Sequence, residues 1–325
     1  MNKDSKPIYI HIGTQKTGST SIQAFLWGMH KELYANGVNF VQAGRKRAAH
    51  NQMAVVERNG DVAPLIHDVM HEIDRQPDHV HVLSSEMFFR TSLADAFAKQ
   101  FSEEFKHRIR IVAYLRRQDK FLEAMFKQAL KNGRFRGTPQ QYWTRRDNAV
   151  HYSEVLDAYS ELFGKDSMIV RPFERSAFPD GDIVKDFAGH IGVDTQVTGM
   201  PDTPPSNLTL SYEVSHLLGV LNRTTDINTR YLIREISRHN TRGAVRSSDC
   251  YVTSERREIM QSCEEDNSYV RKTYCSDLSE LFDMSDLTGE NDDHPASESE
   301  RLERLQQATY AVLRAIGKTH KTRVR

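Results

Sequence analysis

The sequence predicts an α/β protein, a parallel sheet flanked by helices and followed by a helical C-terminal part. Three observations carry this. Ile8, Ile10 and Ile12 alternate with Tyr9 and His11 at the period of a strand, and Ile22, Phe25, Leu26, Met29 and Leu33 then fall at helical spacing. Ile109 to Leu115 is a nearly continuous apolar run, as expected of a strand buried on both faces of a parallel sheet, and Phe121, Leu122, Met125, Phe126 and Ala129 follow as a helical face. After Met200-Pro201-Asp202-Thr203-Pro204-Pro205, the clearest linker, the apolar pattern is helical throughout. The expected organisation is an α/β core over 1–200, a helical part of the same domain over 201–285, and an acidic linker, terminal helix and basic tail over 286–325.

Bulk properties narrow the function classes. The 325 residues carry 44 Lys plus Arg against 44 Asp plus Glu, so no overall field points to a nucleic acid or a membrane surface. Cys250, Cys263 and Cys275 are odd in number and lack the close pairs of a zinc site, which reads as reduced thiols and no metal. No run reaches the roughly 20 apolar residues needed to cross a bilayer, and MNKDSKP leads straight into a strand, so a cytoplasmic protein without a transmembrane segment is expected. Asn207-Leu208-Thr209 and Asn222-Arg223-Thr224 fit the glycosylation triplet and read as chance matches in that setting.

The first strand and helix are joined by Gly13-Thr14-Gln15-Lys16-Thr17-Gly18-Ser19-Thr20. Glycines there let the backbone curl until several N–H groups and a helix N-terminus point at one spot, which is an anion site. A nucleotide-hydrolase loop reads G-x-x-x-x-G-K-[ST]; the spacing from Gly13 to Gly18 fits, but Ser19 stands where the lysine belongs and the lysine is Lys16, inside the loop.

That arrangement resembles the 5′-phosphosulfate-binding loop of sulfotransferases that use 3′-phosphoadenosine 5′-phosphosulfate, most closely the QKTGTT-like loop of bacterial and heparan-type carbohydrate sulfotransferases. The resemblance implies a P-loop-like nucleotide-binding core, with Gly13 to Thr20 holding the cosubstrate and Lys16 neutralising the bridging oxygen as the sulfuryl group leaves. The acceptor it implies is a hydroxyl or amine, with a carbohydrate as the expected class. Leu83-Ser84-Ser85-Glu86 is similar to the strand-end SSE of many bacterial sulfotransferases, which makes Glu86 the candidate base, with His11 and His81 next. The alternative is a glutamate near the start of the helix that MFFRTSLADAF predicts.

The remaining elements follow in order. Gly37 to Val41 reads as a short strand, and residues 43–60 as a polar, irregular stretch whose cluster Arg45-Lys46-Arg47 is either a solvated loop or an edge of the cosubstrate or acceptor site. Leu65, Val69 and Ile73 mark a helix before the strand at 79–86. Arg116 and Arg117 close the apolar strand that begins at Ile109, and Arg116 looks like the sulfotransferase arginine that binds the 3′-phosphate. The family places a serine eight residues later; here it is Ala124. The lost hydroxyl contact would cost about 1.5–3 kcal/mol unless Arg117, Lys127 or another residue replaces it. Lys127, Lys131, Arg134, Arg136, Arg145 and Arg146 mingle with Phe135, Tyr142 and Trp143, as a stacking surface or as a basic loop. A helix through Tyr152 to Phe163, a strand at Met168 to Val170 and a helix carrying Ile183, Val184 and Phe187 complete the core. Helices are expected around Val214 to Leu221, Tyr231 to Ile236, Ile259 to Cys263 and Leu278 to Phe282, and a last one whose stripe Leu302, Leu305, Val312, Leu313 and Ile316 must dock on this chain or another. Two other readings stay open: a P-loop nucleotide kinase with an aberrant loop, and a catalytically inactive sulfotransferase-like binding protein.

Overall fold

The computed structural model describes residues 6–145, 150–194, 209–239, 244–246, 250–289 and 297–323. The linker at 200–205, Arg146, the triplet at Asn207 and most of the acidic stretch before the last helix lie outside the described residues. In chain order the elements are β1 (Ile8–Gly13), α1 (Ser19–Gly28), α2 (His30–Ala35), β2 (Val38–Phe40), α3 (Asn51–Asn59), α4 (Ala63–Asp74), β3 (Val80–Ser84), α5 (Thr91–Gln100), α6 (Glu103–Arg108) and β4 (Ile109–Leu115). They continue as α7 (Gln118–Lys131), α8 (Pro139–Thr144), α9 (Ser153–Phe163), β5 (Met168–Pro172), α10 (Ile183–His190), α11 (Tyr212–Thr224), α12 (Thr229–His239), α13 (Thr253–Ser262), α14 (Glu264–Tyr274) and α15 (Glu298–Arg323).

The fold is α/β. The five strands described pair in the order β2-β3-β1-β4-β5, all parallel. The chain leaves β1 for β2 on one side of the sheet and leaves β4 for β5 on the other, so the strand order reverses at β1, where such sheets bind ligands beyond their carboxyl ends. The alternation in β1 decides its two faces. Ile8, Ile10 and Ile12 are fully buried on one side. The face holding Val82, Val112 and Tyr114 packs on Ile22, Phe25 and Leu26 of α1 and on Ile183, Val184 and Phe187 of α10.

By contact the chain divides into two compact units. The first takes in residues 1–117, 151–203 and 264–283 and contains the whole sheet. Its late segments are tied in by hydrogen bonds: Arg117 Nη1 donates to the Asp283 carbonyl at 2.7 Å, and the Asp266 carboxylate accepts from the Tyr152 and Ser153 amides at 2.8 and 3.2 Å. The second unit takes in 118–150, 204–263 and 284–325 and is helical. There α11 lies so close to α7 that a Cβ on Gly219 would strike the Leu130 carbonyl. Phe126, Phe135 and Tyr142 pack on one another with ring centroids 5.2–6.0 Å apart, so two of these aromatics among the basic residues form core and not a stacking surface.

Several sequence expectations change here. The first helix breaks at Met29 into α1 and α2. Residues 51–59, expected to be irregular, form α3, because Met53 and Ala54 give that polar stretch a small buried face. Leu278, Leu281 and Phe282 lie in turns and bends, with Leu281 and Phe282 buried by tertiary packing without a helix. On α15 the buried face is Ala308, Ala311, Val312 and Ala315; Leu302, Leu305 and Leu313 point to solvent.

The helical unit also buries four charges. Arg256 on α13 donates to Asp119 at 3.0 Å and to Glu123, and Lys127 pairs with Glu123 at 3.0 Å and donates to the Arg246 carbonyl at 2.8 Å. All four side chains are buried. Two carboxylates balanced by two cations can be tolerated inside a protein, whereas removing one partner strands a charge. Arg256→Met is therefore expected to lower stability by about 3–5 kcal/mol in urea unfolding followed by circular dichroism; a loss below about 1 kcal/mol would mean that water reaches the cluster.

Candidate functional site

The loop after β1 is built from backbone conformations that side chains resist. Gly13 has φ 100°, Lys16 φ 65° and Gly18 φ 74°. The loop's buried side chains are spent on backbone carbonyls of the loop and of β4. Thr14 donates from N and Oγ1 to the Tyr114 carbonyl at 2.8 and 3.2 Å, while Thr17 and Ser19 donate from their hydroxyls to the Thr14 carbonyl at 2.5 and 3.2 Å. Gly18 is the N-cap of α1 and supplies no side-chain cap. The Ser21 and Ile22 amides reach back to the Gly18 carbonyl. The amides of Ser19 and Thr20 are the first of the helix, where no intrahelical acceptor exists, and Thr20 is exposed beside them. The result is a crook with a helix N-terminus inside it, as the glycine spacing predicts.

Arg116 comes from the end of β4 and donates through Nη1 to the Lys16 carbonyl at 2.7 Å, its guanidinium 5.9 Å from the Phe173 ring centroid. Phe173 and Ile183 close on Gly18, where a Cβ would sit only 3.1–3.2 Å from them. Thus the sequence-named residues Gly13, Thr14, Gln15, Lys16, Thr17, Gly18, Ser19, Thr20 and Arg116 form one contiguous feature. Arg117, by contrast, is buried in the first unit on Asp283, and Lys127 is engaged by Glu123 in the helical unit. Ala124 lies on α7, partly buried.

Glu86 belongs to the same feature through its backbone. A Cβ on Gly13 would approach the Glu86 Cα to 2.9 Å, so only glycine permits this closeness. Four residues separate Glu86 from the start of α5 at Thr91, whose N-cap is Arg90, which removes the helix-dipole alternative. Its carboxylate is held from two sides: Gln23 Nε2 of α1 donates to Oε2 at 2.8 Å and Asn51 Nδ2 of α3 donates to Oε1 at 3.1 Å. Asn51 is itself fixed by the Ser85 hydroxyl, which donates to its Oδ1 at 2.5 Å. One amide donor per carboxylate oxygen leaves acceptor capacity on each. Gln23 and Asn51 escaped the sequence reading. Gln23 is a buried polar residue next to Ile22 in an otherwise apolar helix face, and Asn51 sits in a stretch that reads as irregular.

Three histidines lie under this end of the sheet or along it. His50 Nε2 is 3.0 Å from the Val41 carbonyl, which can only accept, so Nε2 carries the proton and Nδ1 accepts the Ser84 amide at 3.1 Å. His11 Nδ1 is 2.8 Å from Ser84 Oγ, with its ring against Tyr114 and Phe187. Burial pushes the pKa of both rings down to about 3, and burial with the Arg108 guanidinium nearby takes His81 to about 4. Neither spare base survives this geometry. His11 is completely buried, and His81 pairs in register with Ile8, at the amino end of β1, away from the loop. The Arg45 guanidinium lies 4.4 Å from the Phe40 ring centroid and 4.9 Å from that of Trp27, lining a cavity of about 780 Å³ at the β2 edge with Tyr34, His71 and Glu72. Glu72 accepts the Gln42 and Ala43 amides there.

No protein-family model matches the chain. A stretch of 137 residues, 42% of the chain, is 31% identical to an uncharacterized protein of Archaeoglobus fulgidus, and it spans 35% of that protein's length. The fold is similar to the solved structure of a sulfotransferase from Alicyclobacillus acidocaldarius, at 16% identity and a TM-score of 0.41, over 62% of this chain and 87% of that one. That similarity assigns no residue a role.

The buried histidines set a pH dependence. Each is neutral when folded but binds a proton below about pH 6.5 when unfolded, so the unfolded chain holds more protons between about pH 6.5 and the folded values. Stability is then complete above pH 6.5 and falls as pH drops, by up to about 1.4 kcal/mol per pH unit for each ring. Urea unfolding between about pH 7.5 and 5, where carboxylates stay ionised, is expected to show this fall; a flat profile would place the rings in water.

Proposed function

We propose that the chain is a sulfotransferase that moves a sulfuryl group from 3′-phosphoadenosine 5′-phosphosulfate to a hydroxyl or amine acceptor, a carbohydrate being the expected class. One observation carries the reading. A lysine in a left-handed loop, an uncapped helix N-terminus, a strand-end arginine and an amide-held carboxylate meet around Gly13 and Gly18. A doubly charged phosphate suits such a crook, because the first amides of α1 lack intrahelical acceptors and two cationic residues, Lys16 and Arg116, belong to the same loop and strand end. Cytoplasmic location belongs to the same reading; among the described residues no helix is long and apolar enough to cross a membrane.

The chemistry follows from placement. As the acceptor oxygen or nitrogen attacks sulfur, its proton passes to Glu86, and the bond from sulfur to the bridging oxygen breaks. The electron pair leaves with the 5′-phosphate, where Lys16 and the Ser19 and Thr20 amides meet the new charge. Gln23 and Asn51 keep the carboxylate from swinging away, so positioning supplies part of the rate. Arg116 would serve the 3′-phosphate while fixing the Lys16 carbonyl.

Ala124 favours a second reading, an inactive binding protein of the same descent, because it removes the hydroxyl the resemblance calls for. Thermal shift separates the cases. Adenosine 3′,5′-bisphosphate is expected to raise the melting temperature and ATP to leave it unchanged; stabilisation by ATP alone would point to a kinase, and by neither to a scaffold. In labelled-sulfate transfer over a panel of glycans and simple alcohols, Glu86→Gln is expected to lower kcat by roughly 10²–10⁴-fold while keeping the bisphosphate shift. Lys16→Ala should diminish both turnover and shift. Unchanged turnover in Glu86→Gln would remove that residue from the mechanism.

A further inference from the structure

Buried polar atoms without partners gather at one place outside the crook. Arg45, Gln76 and Tyr34 line the cavity of about 780 Å³ at the β2 edge. Arg45 Nε and Nη1 and Gln76 Oε1 are buried and have no hydrogen-bond partner among the described residues. His79, whose ring stacks on Tyr34 with centroids 4.5 Å apart, has its Nδ1 in the same condition. Buried donors and acceptors are nearly always satisfied in native proteins, so orphans on two residues of one cavity wall point to a ligand that satisfies them.

Arg45 sets the sign of that ligand. Its guanidinium is held 4.4 Å from the Phe40 ring centroid and 4.9 Å from that of Trp27, so its freedom is already given up before anything binds. Burial lowers its pKa, and the Glu72 charge opposes this only in part. Glu72 itself is committed elsewhere: Oε1 accepts Asn39 Nδ2 at 3.0 Å, and Oε2 accepts the Gln42 and Ala43 amides at 3.0 and 2.7 Å. Water satisfies an amide, but a guanidinium shut between two rings calls for an anion. The rest of the wall agrees, since Lys31 and Arg75 join Arg45 there against Asp68 and Glu72, three cations to two carboxylates.

Size and hydrogen bonding narrow the class further. The volume lies within the range of sites for small organic molecules, roughly 300–1,000 Å³, and is far more than an inorganic ion fills. Gln76 Oε1 can only accept, so the ligand must donate as well as carry charge; a fully ionised sulfate or carboxylate has no donor, whereas a hydroxyl does. A sugar with an acid group offers both, and Tyr34 gives its ring an aromatic wall.

We propose that the β2-edge cavity is a second binding site, for a sugar bearing one acid group, carboxylate or sulfate ester, with the acid paired to Arg45 and a hydroxyl donating to Gln76. None of the residues lining it belongs to the crook, so the inference stands apart from the transfer reaction.

Isothermal titration of the full chain with glucuronate and with glucose 6-sulfate tests this. At least one of the two is expected to bind at one equivalent, and glucose roughly tenfold or more weakly. Arg45→Met, which keeps a packed side chain between Phe40 and Trp27, should lose roughly ten- to hundredfold in affinity for the acid, and Gln76→Leu less, because its hydrogen bond is neutral. Trp27 and Trp143 are the two tryptophans, so in Trp143→Phe the emission of Trp27 should change as the acid saturates, a readout that does not rely on the Arg45 variant folding. Saturating adenosine 3′,5′-bisphosphate should leave the affinity for the acid unchanged, so this site and the crook can fail separately. A glucuronate-containing oligosaccharide that binds more tightly than glucuronate assigns the cavity to an acidic unit of a chain, and equal affinity assigns it to the free sugar acid. Absence of binding by both acids overturns the proposal. So does undiminished affinity in Arg45→Met, unchanged Trp27 emission, or displacement by the bisphosphate.

Discussion

The first unit depends on one close approach. β1 and β3 are neighbours in the sheet, and where both run out, Gly13 presses on the backbone of Glu86 with no room for a side chain between them. That contact sets where the loop must turn, and so where Lys16 and the start of α1 lie. It also brings the Glu86 carboxylate within reach of Gln23, on the very helix the loop introduces. A single missing Cβ thus couples the anion crook to the carboxylate, and Arg116 adds a third strand end by holding the Lys16 carbonyl.

The two units answer the problem of buried polarity differently. Around the sheet the polar side chains are mostly neutral and satisfied by backbone: Thr14, Thr17, Ser19 and His50 all hydrogen-bond main-chain groups. In the helical unit Asp119, Glu123, Lys127 and Arg256 keep their charges and neutralise one another. Neutral networks tolerate a lost member better than ionic ones, in which each charge depends on its counter-ion.

Much of this was legible in the sequence, and the reasons for the rest are physical. The alternation in Ile8 to Ile12 and the apolar run from Ile109 to Leu115 report strands because a buried parallel sheet has no polar face to hide them. Gly13 and Gly18 were legible because few residues but glycine tolerate a left-handed turn at a helix entrance, and Lys16 because it stands inside that loop where a nucleotide-hydrolase loop would carry its lysine after the second glycine. Glu86 was found at its strand end, whereas Gln23 and Asn51 were not, since an amide that orients a carboxylate carries no local periodicity. The helix at Asn51 to Asn59 was missed because its buried face amounts to Met53 and Ala54, and Leu281 and Phe282 misled because tertiary burial without a helix leaves the same apolar letters. The stripe on α15 was seen as apolar, but sequence alone treats leucine as the inward residue and alanine as filler, and here the roles are exchanged.

The interleaving of the chain has a consequence for its birth on the ribosome. The sheet is complete by Pro172, yet Arg117 closes on Asp283, and the start of α9 is tied by Asp266. Synthesis from one end to the other must therefore leave the first unit unfinished until residue 283 has emerged, with α7, α8 and α11 to α13 of the second unit translated in between. A nascent chain of this design waits with its sheet unfinished between residue 172 and residue 283, so its exposure to misassembly is set by elongation speed as much as by final stability.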